Sequence, residues 1–144
     1  MAVTGVEARI YDALVWYVSQ QTFDPALRVA MPGVAFTPEQ GKPFLAVDYF
    51  PNTSRLDGLP FDSDVTHLGL FQLSVVWPAG QGFVKPLQVA AQVRQAFAAG
   101  TRLWRNDLTV CIDETPEVAG PIDDAPWVRF PVTVRWRVGV PAAP

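Results

Sequence analysis

The chain has 144 residues, 49% of them apolar and 17% charged, which is enough to bury a core and too apolar for a disordered polymer. A formal net charge of −3 excludes a general nucleic-acid or anionic-membrane surface, both of which need a positive field. No apolar run approaches the ~20 residues that span a bilayer, and MAVTGVEARIYD has no apolar core behind a basic start. The single cysteine, Cys111, has no internal partner for a disulfide. The expectation is one domain, residues 1–144, folded in a reducing cytoplasm and not secreted.

In chain order, Thr4 and Glu7 have the spacing of a capping box, which predicts a first helix to about Gln21. Val6, Ile10, Ala13, Leu14 and Tyr17 line one face of it, and Ala8, Tyr11, Val15 and Trp16 make the other face largely apolar too. A helix apolar on both sides must bury both, under a loop of its own chain or against a neighbouring subunit. Short strands follow near Leu27–Val34 and over Phe44–Phe50. The stretch 51–66, PNTSRLDGLPFDSDVT, has no period and reads as a long loop.

The segment from Leu68 to Gly100 organises the rest. His67, Gly69, Phe71, Leu73, Val75 and Trp77 alternate along one side of a strand, and Pro78, Gly80 and Gly82 end it. A helix is then expected from Pro86 to a C-cap at Gly100. Pro86, Ala90, Val93 and Phe97 lie on its buried stripe, and Lys85, Gln88, Gln92 and Gln95 on the opposite one. Leu103–Asp113 reads as one strand with Trp104, Leu108, Val110 and Ile112 inward, and Thr115–Pro126 as a turn-rich connection. The clearest strand comes last, with Val128, Phe130, Val132, Val134, Trp136 and Val138 alternating against more polar neighbours; the tail 139–144 is expected to fray. The predicted fold is α+β, a two-layer sandwich in the order α-β-β-β-α-β-β. About five mostly antiparallel strands carry both helices on one face.

Catalytic signatures are absent from this pattern. DSDVT at residues 62–66 spells the DxDxT string of haloacid-dehalogenase-type phosphatases, but it sits in a polar loop rather than at the end of a strand in a βαβ unit. Its carboxylates lack the glycine and distal glutamate of a calcium loop. His67 is the lone histidine, and Cys111 shares the polar side of its strand with Thr109 and Asp113. The reading is a non-enzyme with no catalytic, cofactor or metal site.

Two features ask instead for a partner. Arg129, Arg135 and Arg137 form a basic stripe on the outer face of the last strand, either solvated or paired with Asp48 and Asp113 on neighbouring strands. Gln88, Gln92 and Gln95 give the second helix an uncharged polar face suited to a packed contact. With Tyr11, Val15 and Trp16 they make the candidate subunit interface. The arginines are candidates for contact with Asp57, Asp62 or Asp64 of a neighbour, or for a lumen facing DNA.

The order of these pieces resembles the tail-terminator-like proteins of long-tailed bacteriophages. The most family-like string is GLFQLSVVWPAGQG with the helix KPLQVAAQVRQAF behind it; LTVCI and the ending APWVRFPVTVRWR come next. The resemblance implies a virion protein, assembled in the bacterial cytoplasm, that forms a ring of six on the head-proximal end of the tail tube. Such a ring ends tube growth and presents a surface for joining the head. Its partners would be itself, the major tail-tube protein and a head-completion or neck protein, with no membrane, cofactor or sequence-specific nucleic acid. Another phage neck or tail-assembly factor, or a small ligand-binding module, is the alternative.

Overall fold

The computed structural model describes residues 3–56 and 65–140. Helix α1 (Val6–Gln20) buries Ile10, Ala13, Leu14 and Val18, the i, i+3, i+4, i+8 stripe of an amphipathic helix. Gly5 is its N-cap, and no side chain caps it. The expected Thr4–Glu7 box therefore does not form, because the residue at the cap itself has no side chain to fold back. Helix α2 (Val84–Ala96) begins two residues before Pro86 and buries Pro86, Val89, Ala90 and Val93. Its C-cap is Phe97, not Gly100; Gly100, at φ +94°, serves the next turn and donates its N–H to the Ile112 carbonyl.

Among the described residues eight strands make one sheet: β1 (Arg28–Ala30), β2 (Phe44–Leu56), β3 (Val65–Pro78), β4 (Thr101–Arg105), β5 (Leu108–Ile112), β6 (Glu117–Val118), β7 (Ile122–Asp124) and β8 (Trp127–Val140). The spatial order is β1-β2-β3-β8-β5-β4, and β6 and β7 also pair with β8. β3 and β8, fourteen residues each, are in register from Val65 opposite Val140 to Pro78 opposite Trp127. The far edge of β8 is shared in turn by β5, β6 and β7.

The core lies on the sheet face that carries Phe71, Leu73 and Val75 of β3 with Phe130, Val132 and Val134 of β8, and both helices contribute to it. α1 packs toward β4 and β5, and α2 toward β3 and β8. Tyr17 joins the helices, its hydroxyl donating to the Ala96 carbonyl at 2.6 Å while its ring meets Phe97 edge-on. Each fully buried side chain of this kind contributes about 1.5–3 kcal/mol of transfer free energy.

Several expectations are corrected. The sheet has eight strands rather than five, and it is mixed, because β1 runs parallel to β2. It also departs from a plain two-layer sandwich. The segment before β2 folds across one corner of the outer face, where Phe36 packs on Phe44 and Phe44 on Trp127. The supposed loop 51–66 begins and ends as strand: β2 runs to Leu56 and β3 starts at Val65, paired through a bulge between Pro51 and Thr53. That bulge is what breaks the period-2 pattern there. Residues 57–64, with Asp57, Asp62 and Asp64, lie outside the described residues. Gly139 and Val140 pair with Thr66 and Val65 instead of fraying.

Leu103–Asp113 is not one strand but the β4–β5 hairpin. Asn106 and Asp107, at φ 58° and 60°, make its two-residue turn with the positive φ pair of type I′. The reversal changes the parity, so Leu103 points inward and Trp104 outward, 69% exposed.

Candidate assembly surface

The β4–β5 turn is clamped to α1 by charge. Asp12 accepts from Arg105 Nε at 3.0 Å and from Asn106 Nδ2 at 2.9 Å. Asn106 also donates to the Arg9 carbonyl. The Asn106 hydrogen bond, with Arg105 behind it, holds the Asp12 carboxyl below its ordinary range. The Arg105 guanidinium lies over the Trp16 ring, 4.9 Å from its centroid. This side of the subunit is thus one continuous strip, with Trp16 and Arg105 on the helix side of β4 and Arg102 and Trp104 on the outer side.

These contacts change the status of the side chains picked from the sequence. Trp16 is half-buried against Arg105. Tyr11 is half-buried too, its hydroxyl donating to the Pro32 carbonyl and its ring meeting Tyr49 edge-on. A segment of the same chain therefore covers part of the second apolar face of α1, and Val15 stays half-buried. Gln92 clamps the backbone of Asp24, donating to its carbonyl at 2.7 Å and accepting from its N–H at 2.8 Å. Gln88 and Gln95 are exposed on the same helix.

On the outer sheet face the arginine stripe is compensated within the chain. Arg129 meets Asp124 at 2.7 Å, Arg135 meets Glu114 at 3.5 Å, and Arg137 meets Asp113 at 2.7 Å. The Arg137 hydrogen bond lowers the Asp113 carboxyl from its ordinary range. Of the two partners named from the sequence, Asp113 is used and Asp48 is not. Arg102 Nη1 donates to Cys111 Sγ at 2.7 Å. Leu68, Leu70, Cys111, Glu114 and Arg135 help to line an open cavity of about 320 Å³ on this face. Among the described residues, no three His, Cys, Asp or Glu side chains gather as a metal would require.

On the helix side, Trp136 stacks on Tyr49, with ring planes 8° apart, and its indole lies where a Gly69 side chain would be. Burial, with the Glu7 carboxylate nearby, pushes the Tyr49 phenol up to about 12. Neither Tyr49 Oη nor Trp136 Nε1 meets a hydrogen-bond partner among the described residues. Packing holds this stack, and Gly69 is the space that permits it.

Sequence reasoning missed the β4 edge because it placed Trp104 in the core. The available signal was Asn106-Asp107, two residues that tolerate positive φ, between two apolar runs.

A family model described as phage tail terminator protein matches residues 9–136. No curated protein matches the chain. Among the solved structures that are similar, one superposes with a TM-score of 0.68 at 24% sequence identity, covering 92% of each chain, which establishes likeness of fold.

Proposed function

The chain belongs to the phage tail terminator protein family and is a structural component of a phage tail; from that premise we propose that it caps the head-proximal end of the tail tube as a ring. In this reading the subunit forms a cyclic homo-oligomer of six, ends polymerisation of the tube protein, and offers its other rim to a head-completion or neck protein. A ring needs a heterologous contact, one patch meeting a different patch on the next subunit.

The observation that carries the reading is the strip along α1 and β4. It combines an open strand edge with Trp104, 69% exposed, and the Trp16–Arg105 pair. Large aromatics and arginine are the side chains that anchor protein interfaces. Val15, Gln88 and Gln95 are proposed as further contacts, and Tyr11 and Gln92 as supports of the same surfaces. The outer-face arginines are proposed to contact a neighbour or the lumen only by exchanging carboxylates they already hold. The ligand-module alternative has less behind it: the outer-face cavity, about 320 Å³, is at the small end of ligand pockets and bordered by ion pairs.

The test is a tail-assembly extract that lacks this protein. Over-long, headless tubes are expected, with normal length and joining restored by adding the purified chain. Tails of normal length without it would end the terminator reading.

A further inference from the structure

The sheet has two open edges that differ in kind. β1 covers β2 only from Phe44 to Ala46, so among the described residues the rest of that edge, Val47–Leu56, has no strand partner. At the other end of the sheet, β4 has β5 on one side and, among the described residues, no strand on the other. Open edges of this kind are templates for another strand, and a protein leaves them bare at the risk of association.

The two edges match. β2, β3, β8, β5 and β4 are each antiparallel to the next, so β4 runs in the same direction as β2. Rotation about a ring axis keeps that sense, and β4 of one subunit would meet β2 of the next in parallel. On the outer face β2 presents Asp48 and, two residues on, Phe50, 47% exposed. On the same face β4 presents Arg102 and, two residues on, Trp104. Among the described residues Asp48 has no oppositely charged side chain within ion-pair distance, and Arg102, which donates to Cys111 Sγ, acts on the Asp113 carboxylate only from beyond that distance. The charges are complementary, and the aromatic follows the charge at the same spacing and in the same direction.

Length agrees as well. β4 has five residues, and the stretch from the end of the β1 pairing to the bulge, Val47–Pro51, is of the same length. Through the register of the intervening strands, Arg102 stands level with Cys111, Arg137, Leu68 and Thr53. Asp48 stands level with Gln72, four ladder positions from Leu68. Four is even, so a stagger of that size, about 13 Å at 3.3 Å per residue, keeps outer face against outer face. A stagger between neighbours is what tilted strands around a closed ring produce.

We propose that a second copy of this chain occupies each edge: β4 of one subunit adds to Val47–Pro51 of β2 in the next, in parallel, with Arg102 toward Asp48 and Trp104 beside Phe50. The sheet is then continuous from subunit to subunit. This rests on the ring reading and specifies its contact.

The test uses the full chain with Cys111→Ser, Phe50→Cys and Trp104→Cys, added to the extract lacking the wild type and treated with a short bismaleimide once tails are capped. A covalent ladder rising to the closed ring is expected, absent from either single-cysteine protein and from a Leu87→Cys, Trp104→Cys control. Capped tails without the ladder, or an equal ladder in the control, would overturn this contact and leave the ring standing. No ring on the tails with the wild-type protein would overturn ring and contact together. In a second measurement Asp48→Arg and Arg102→Asp, both at exposed sites, should each lower capping at least tenfold, and the pair together should recover most of it. Absence of recovery from two folded single variants would count against the pairing.

Discussion

Replacing Gly69 by alanine tests the packing of the Trp136–Tyr49 stack on the helix side of the sheet. On backbone preference alone the change should help, since glycine inside a strand costs roughly 0.5–1 kcal/mol relative to alanine. The structure reverses the sign. A Cβ at Gly69 would lie 2.3 Å from Trp136 Cζ2, 2.6 Å from Trp136 Cε2 and 2.7 Å from the Phe50 carbonyl oxygen. To reach 3.4 Å, the lower edge of ordinary contact, the indole must withdraw by more than an ångström and the carbonyl by about 0.7 Å. The indole cannot withdraw freely, because it is stacked on Tyr49, which in turn meets Tyr11. The carbonyl belongs to β2 next to its bulge, where a shift disturbs the pairing of Pro51 with Gly69. Overpacking of a filled core costs about 1–3 kcal/mol, and with a backbone atom involved the upper part of that range is expected. Net of the backbone gain, Gly69→Ala should lose about 2 kcal/mol, a fall in Tm of roughly 4–8 °C. Urea titration followed by near-ultraviolet circular dichroism measures it. Trp136→Phe removes the two closest atoms, so the double variant should be more stable than the sum of the single losses allows. A Gly69→Ala protein within half a kcal/mol of wild type would refute the reasoning.

Phe97 is fully buried between Tyr17 and Phe71, and Phe97→Ala should cost ~3–5 kcal/mol in the same titration; a loss under ~0.5 would mean that its site collapses or that the helix phase is wrong. Asp12 has a folded-state pKa below its unfolded one, so its contribution is present above the unfolded value of about 3.9 and is lost as pH falls through the lower folded value. Asp12→Asn should therefore flatten the acid limb of the stability profile and, with this site partly solvated, cost about 1 kcal/mol at neutral pH; an unchanged acid limb would remove Asp12 from the account. Trp16→Ala, checked for folding, should give over-long tubes in the extract; tails of normal length would take Trp16 out of the interface.

Local pattern determined a good deal by itself. The long alternation from Val128 to Val138 and that from Phe71 to Trp77 made β8 and β3 legible, because a strand buried on one face must repeat every two residues. The apolar stripes of both helices were legible for the same kind of reason, with a period of 3.6. The family was visible too, since its strings lie in these regular elements. Tertiary structure decided what has no period of its own. β6 and β7, two and three residues long, exist because the far edge of β8 has N–H and C=O groups to satisfy. The Asn106-Asp107 turn hid inside an apolar run, and with it the reversal that turns Trp104 outward. Whether Tyr11, Trp16 and the outer arginines were free depended on residues brought from far along the chain: Pro32, Arg105, and the carboxylates of Asp113, Glu114 and Asp124. Periodicity reports which face of an element is buried; what covers that face is a non-local contact, settled only when the chain closes on itself.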